Sequence, residues 1–336
     1  MKIAITGGAG CVGSRLAKAY LDAGHDVLVI DNLAHGLRQD VDGRARFYQL
    51  DIRDSKVQEV LQLERPDVVS HHAAQLAAFP GASLLADADV QLRGLLNVLD
   101  GCVSASVTRF IYASNGSTLY QPAPVAGSMQ SASRIVEEDF PLYPQRANDI
   151  NKLAGERYVS YYSQQHGLEH IILRYADIYG ELHSELARHP VTYFVQMLLQ
   201  GQRPIIRGSA CDGRDHIYID DVARANLRAL ERGRNCTMHI SSGKSYTLDQ
   251  LFGAVATQLS SDLLPVYLSR AMTEPTAFAL DNTLAQQQLN WRPQVDIAEG
   301  IGRAIEMLCG QKVPVPSLSI ETPARALVLD AVLAHA

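Results

Sequence analysis

The stretch from Lys2 to Asp31, KIAITGGAGCVGSRLAKAYLDAGHDVLVID, decides the fold. Lys2 to Thr6 is a short β-branched run that ends in a glycine turn, with Gly7, Gly10 and Gly13 spaced GxxGxxG. Ser14 to Leu21 carries apolar residues at helical spacing until Gly24 stops it, and Asp26 to Ile30 (DVLVI) reads as a buried strand. Glycines at such a turn let the backbone fold tightly and approach a pyrophosphate, and the helix that follows offers unpaired N–H groups to the negative charge. Asp31 closes the second strand about 20 residues on, where a carboxylate binds both ribose hydroxyls of NAD and repels the 2′-phosphate of NADP. The turn, with Cys11 and Val12 inside it, is therefore expected to hold NAD, with Asn32 beside the acidic residue.

Outward from this unit the alternation continues. A strand is expected near Phe47 to Leu50, a helix from Ser55, a strand at Asp67 to Ser70, a long helix around Ser83 to Val103 and a strand at Arg109 to Ala113. Strands alternating with helices imply a parallel, doubly wound α/β sheet of the Rossmann type. Residues 115–145, rich in Ser, Pro, Gly and Ala, read as loops; Ala147 to Gln165 reads as a helix and Glu169 to Arg174 as another core strand. The expected organisation is a NAD-binding domain over 1–180, with segments from about 213–240 returning to it. A smaller, interleaved substrate domain spans 181–312, and an extension spans 313–336. Val313 to Pro316 looks like a linker, and Glu321 to Ala336 reads either as a docking helix or as a cover for a partner subunit.

Composition sets the outer limits. The chain has 336 residues, of which 47% are apolar and 20% charged, as in ordinary globular proteins. The formal charge of −6 comes with no basic block, which argues against nucleic-acid binding. No run approaches the roughly 18 apolar residues of a membrane span, and the N-terminus lacks signal-peptide character. A cytoplasmic protein without a membrane partner is expected. Five scattered cysteines with no CxxC pair suggest neither a disulfide framework nor zinc. His71 and His72 are tempting as metal ligands, but adjacent strand residues point to opposite faces and no third ligand sits at useful spacing, so no metal is expected.

Taken together, TGGAGCVG, IDNLAHG (30–36), HHAAQ (71–75), NKLAGE (151–156), LRYADIYG (173–180), GRDHIYIDDVARA (213–225) and LNWRPQVDIAEGI (289–301) resemble the extended short-chain dehydrogenases/reductases. The nearest branch is that of the NAD-dependent nucleotide-sugar epimerases and dehydratases, of the UDP-glucose 4-epimerase type. The resemblance covers about residues 1 to 310. It implies tightly bound NAD, oxidation of a sugar hydroxyl, and usually return of the hydride. It places Asp51 and Ile52 by the adenine, His72, Ala73, Ala74 and Gln75 by the pyrophosphate, and Tyr175 and Lys152 by the rest of the cofactor. It also implies a homodimer formed by the helices at about 83–103 and 147–165.

The same resemblance exposes departures. Family members use a tyrosine as base, with a lysine four residues later and a Ser or Thr on the same oxygen. Lys152-Leu153-Ala154-Gly155-Glu156 fixes the register, so the tyrosine position is Asn148, an amide that cannot act as a general base. Counting back from Leu119-Tyr120-Gln121 puts the hydroxyl position at Gly116, with Ser117 next door. Ser117 and Thr118 occupy the places of the Asp-Glu pair of the 4,6-dehydratases. Asp177 replaces an asparagine near the substrate phosphates, where a carboxylate repels a diphosphate. Arg214 and Arg292 fall where the family often has phosphate-binding arginines. Three accounts stay open: a redox enzyme with another proton acceptor (Tyr120, Tyr143, His72, Asp149 or Asp177); an NAD-binding enzyme of specialised metabolism with different chemistry; and a non-catalytic NAD-binding protein.

Overall fold

The computed structural model of the protein describes residues 1–75, 83–120, 134–180, 189–207, 212–268 and 277–310. The first half runs β1 (Lys2–Thr6), α1 (Cys11–Asp22), β2 (Asp26–Asp31), β3 (Arg46–Gln49), α2 (Lys56–Glu64), β4 (Val68–His71), α3 (Leu84–Ala88), α4 (Leu95–Ser104) and β5 (Arg109–Asn115). There follow β6 (Arg134–Val136), α5 (Ala147–His166), β7 (Glu169–Tyr175), β8 (Asp177–Tyr179), α6 (Pro190–Leu199), β9 (Ile205–Arg207), β10 (Gly213–Tyr218), α7 (Ile219–Ala229) and β11 (Cys236–Ile240). The last elements are β12 (Ser245–Thr247), α8 (Leu248–Gln258), β13 (Val266–Leu268), β14 (Phe278–Leu280), α9 (Thr283–Leu289) and α10 (Ile297–Gly310).

Seven strands form one parallel sheet in the order β11, β7, β5, β4, β1, β2, β3. Side chains alternate across it because a strand has period two. Ile3, Ile5, Val27, Val29, Ile111 and Leu173 pack on one face with Leu16, Ala17 and Tyr20 of α1. Ala4, Leu28, Ile30, Val69, Phe110 and Ile172 pack on the other with Val57, Leu61, Val98 and Leu99. Burying each such large aliphatic side chain contributes ~1.5–3 kcal/mol, so a sheet covered on both faces is a stiff platform. The strand order reverses between β1 and β4, and a doubly wound sheet opens its ligand crevice at the carboxyl ends of the strands at such a point.

A second group of elements stands over that crevice. β8, β10 and β12 form a three-stranded sheet, β9 pairs with β13, and α6, α8 and α10 share a core of Phe194, Val195, Leu251, Phe252 and Ile301. Within 213–240, β10 belongs to this group, α7 packs on α1, and β11 joins the edge of the large sheet. No helix among the described residues is long and apolar enough to cross a membrane.

Two expectations change. The long helix expected over Ser83 to Val103 is two α-helices joined by a wider π-type turn over Asp89–Gly94. There Gly94 lies so close to Ile52 that a Cβ would stand 2.5 Å from its Cδ1, and Asn97 donates to the carbonyls of Ile52 and Asp54. The 115–145 stretch is not all loop, since β6 within it pairs in parallel with β14, more than 130 residues away. The proposed linker at 313–316 and the rest of the 313–336 extension lie outside the described residues.

Candidate active site

The glycine turn is built by close approach of backbone to backbone. Gly7 has φ +71°, donates to Ile30 O at 2.9 Å, and lies so near β4 that a Cβ would stand 2.5 Å from Ala73 N. A Cβ on Gly13 would stand 2.2 Å from Gly7 O. Helix α1 follows its N-cap Gly10 with no side-chain cap, and its N-terminus lines the ligand crevice, where a helix dipole favours negative charge. Asp31, nearly buried, accepts from Ala9 N at 3.0 Å and Leu33 N at 2.8 Å, which holds Leu33 at φ +59°. Asp51 accepts from Asn32 and from Arg53, whose guanidinium holds its carboxyl well below the usual range.

These residues open onto a cleft of about 770 Å³. Its walls include Gly7, Gly10, Cys11, Val12, Gly13, Asp31, Asn32, Asp51, Ile52, His72, Ala73, Ala74 and Gln75, then Asn148, Lys152, Tyr175 and Asp177. A cradle that a Cβ at Gly7 or Gly13 would fill, a helix N-terminus and a carboxylate at the end of β2 fit a dinucleotide. His72 bonds Ser70 Oγ through Nε2 at 2.9 Å and stacks on Tyr175; burial, helped by nearby Lys152, pushes it down to about 3. The ring is neutral at physiological pH. Among the described residues no group of three or more His, Cys, Asp or Glu could hold a metal ion.

Helix α5 brings Asn148 and Lys152 to the cleft one turn apart. Asn148 Nδ2 donates to Gln75 O at 3.5 Å, and Lys152 Nζ donates to Ala113 O at 2.9 Å. Burial pushes the Lys152 ammonium down to about 8, against the opposing pull of Glu156 and Asp87.

Four expected site residues lie elsewhere. Tyr120 does not line the cleft: it is fully buried, its hydroxyl accepts from Arg174 Nη1 at 2.5 Å and lies 2.7 Å from His239 Nε2, and burial pushes it up to about 12. It is tied into the core and is no base for a substrate. Ser117 is buried, with Oγ unpartnered and its carbonyl bonded by Arg214 at 2.8 Å. The reason is strand length: β5 runs two residues beyond the expected end, so Asn115 pairs with Tyr175 and lines the cleft just before Gly116, the position at which a hydroxyl was sought. The chain then turns inward at Gly116. Arg214 stacks over Phe278 at 5.0 Å and Arg292 is exposed; neither lines the cleft. Of the other acceptors considered, Tyr143 is 65% exposed and off the cleft, and Asp149 is buried with Oδ1 on Thr118 Oγ1.

The far end of the cleft carries residues the sequence reading missed: Tyr179, His189 and Thr192 line it beside Asp177. His189 caps α6 by accepting from Val191 N at 3.2 Å through Nδ1, and its Nε2 lies 2.9 Å from His216 Nδ1. The cap leaves the His189 proton on Nε2, which donates to His216. Burial holds both imidazoles below their usual pKa. The histidine before Pro190 was a legible cap signal, but its partner lies 27 residues away.

Residues 3–240 match the profile of the NAD dependent epimerase/dehydratase family. A putative UDP-glucose 4-epimerase of Methanocaldococcus jannaschii is 30% identical over 309 residues, covering 91% of this chain and 98% of the other. The structure of a UDP-glucose 4-epimerase of Thermotoga maritima with UDP-glucose superposes with a TM-score of 0.82 at 30% identity, covering 92% of this chain and 99% of that one. The UDP-glucose 4-epimerase of Thermus thermophilus in complex with NAD gives 0.80 at 29% identity, with the same coverage. With a glycine cradle, an aspartate at the end of β2 and a buried lysine all lining one cleft, the chain belongs to the NAD-dependent epimerase/dehydratase family, and its cofactor is NAD.

Proposed function

We propose that the protein is an enzyme of nucleotide-sugar epimerase type that oxidises and re-reduces a carbinol of its substrate with atypical acid-base residues. The observation that carries this reading is the pairing of a complete cofactor cradle with a second, open end of the same cleft, at Asp177, Tyr179, His189 and Thr192. Bound NAD supplies a two-electron acceptor there. The chain's own residues hold it: the turn at Gly7, Gly10 and Gly13 receives the pyrophosphate, Asp31 the adenosine ribose, and Lys152 the ribose nearer the reacting carbon. The substrate's sugar would lie between Asn148 and Asp177, hydrogen-bonded by Thr192 and walled by His189, whose two ring nitrogens are already committed. Arg214 would reach a phosphate only by leaving Ser117 O.

A second reading draws support from Asn115 and Asn148, two amides on the wall of the cleft, with Asn148 at the position that the register of Lys152 gives to the family's tyrosine. On that reading the enzyme binds NAD and runs a different reaction on a polyhydroxylated substrate. Purified protein mixed with NAD and a panel of UDP- and dTDP-sugars separates the two. Transient NADH absorbance with interconversion at one carbinol is the expected result, and a panel left unchanged, with no NADH, would sink the epimerase-type reading.

The protein is further proposed to be a homodimer. Leu84 and Leu85 on α3 and Ile150, Tyr158 and Tyr161 on α5 are exposed large apolar side chains on two helices that pack side by side. Such a stripe suits a four-helix contact with a second copy. Sedimentation equilibrium is expected to give twice the chain mass, and a monomer at all concentrations ends the idea.

A further inference from the structure

The titratable groups around Asn148 are nearly all committed. Tyr120 is bonded to Arg174, His72 to Ser70, the Tyr175 hydroxyl to Asn226 and Asp149 Oδ1 to Thr118, while Asp149 Oδ2 is buried and Asp149 does not line the cleft. Glu156 bonds Ser114 and Arg174, and Asp87 bonds Gln91 and Asn151. Lys152 is different. It follows Asn148 by one turn on the same helix face and lines the cleft. Its Nζ is held by a neutral carbonyl, Ala113 O, and sits 5.2 Å from the centre of the Tyr112 ring. Among the described residues no carboxylate comes within ion-pair distance of it. A buried amine bonded to a carbonyl and facing a ligand cleft is placed to lose and regain a proton.

We propose that Lys152, besides holding the cofactor ribose, is the catalytic proton acceptor and donor of this enzyme, acting in place of the phenol absent at position 148. The proposal rests on the redox reading above. The neutral Nζ takes the proton of the substrate hydroxyl as the hydrogen on the same carbon leaves, with the electron pair of its C–H bond, to NAD. The carbinol is oxidised to a ketone and NAD is reduced. Return of that hydrogen with its electron pair to the carbon, and of the proton from the Nζ ammonium to oxygen, closes the cycle, so no further reactant is consumed. Asp177 also lines the cleft, but it stands on β8, paired with β10, and not on the helix that carries position 148.

The groups packed around Nζ set when the amine is free. They are Glu156 on α5 itself, Asp87 on α3, His71 at the end of β4 with His72 just after it, and Tyr112 on β5. The histidines are neutral, and Glu156 and Asp87 are only partial counterweights to burial, which leaves the amine titrating at about 8. Rate is therefore expected to rise with pH through about 8.

The chain has six lysines, so labelling them at Cε gives a countable spectrum. In the NAD-loaded protein one resonance, missing in Lys152→Arg, is expected to titrate near 8, apart from the other five; titration of Lys152 with the rest overturns the proposal. This readout needs no turnover, so it stands even if no nucleotide sugar reacts, an outcome that would instead overturn the function reading. Arginine keeps donors and charge but cannot lose its proton. Lys152→Arg is therefore expected to retain NAD, measured by its release on denaturation, and to lose exchange about 100-fold or more. Adding Asn148→Tyr to that variant is expected to restore part of the rate. Lys152→Arg at wild-type rate, or a pH limb at 8 abolished by Asp177→Asn and kept in Lys152→Arg, refutes the assignment.

Discussion

Replacing Asp31 by asparagine separates its two tasks. An ionised carboxylate has about four acceptor positions. Two are used within the protein, Oδ2 by Ala9 N–H and Oδ1 by Leu33 N–H, which leaves one on each oxygen for the cofactor ribose. Asparagine has the same shape but only one oxygen. Its NH₂ must face either Ala9 N–H or Leu33 N–H, leaving a buried donor unpaired at a cost of about 1–3 kcal/mol. Each ribose bond also falls from charge-assisted to neutral, about 1–1.5 kcal/mol apiece. Two such losses weaken NAD binding by about 30- to 140-fold, since 1.4 kcal/mol is tenfold. Removing the negative charge also narrows the preference for NAD over NADP. Isothermal titration of cofactor-free protein with both dinucleotides, alongside denaturant unfolding, reads all three effects. Lower stability with NAD affinity within twofold of wild type would mean that Asp31 only builds the turn, and the ribose assignment would fall.

Gly13→Ala puts a methyl 2.2 Å from Gly7 O, a backbone atom that cannot swing aside. It is expected to destabilise the fold by about 1–3 kcal/mol and abolish NAD binding, and normal cofactor content on purification would contradict that. Glu156→Gln breaks the buried pair with Arg174, whose Nη2 lies 2.6 Å away, and weakens the bond from Ser114. Breaking such a pair costs about 3–5 kcal/mol, and urea unfolding at the wild-type midpoint would refute it. Asn148→Tyr sets a phenol one turn before Lys152 and is expected to raise exchange at pH 7 roughly tenfold. A lower rate with NAD still bound would show that the pocket no longer accepts a tyrosine there.

Most of the cofactor half was legible in sequence because its signals are local. The GxxGxxG turn, Asp31 at the end of β2 and Lys152 in NKLAGE each sit within a few residues of the element that positions them. The substrate half was not, because its geometry is set by distant partners. β5 keeps its register to Asn115 only because β7 continues beside it to Tyr175, and nothing in YASNGSTLY announces that extension. Tyr120 seemed near the chemistry, yet Arg174 and His239, 54 and 119 residues away, draw its hydroxyl into the core. The His189–His216 contact and the β6–β14 pairing are likewise products of tertiary packing.

Helix α5 explains why position 148 bears on chemistry rather than on register. Asn148, Lys152 and Glu156 follow one another at i, i+4 and i+8, so they share one face. That face is fixed at two points: Lys152 Nζ on Ala113 O, and Glu156 on Ser114 Oγ and Arg174. Gly155 lets the helix come so close to β5 that a Cβ there would stand 2.2 Å from the Tyr112 hydroxyl. With the helix pinned one and two turns downstream, whatever occupies position 148 is delivered to the cleft. The opposite face shows Ile150, Tyr158 and Tyr161 to the outside, and rotating the helix to present another residue would break the bonds that hold Lys152 and Glu156. An amide at 148 therefore removes a proton acceptor without moving the site. The nearest titratable group left on the same face is Lys152, and the scaffold that holds it in place is the one that holds the cofactor.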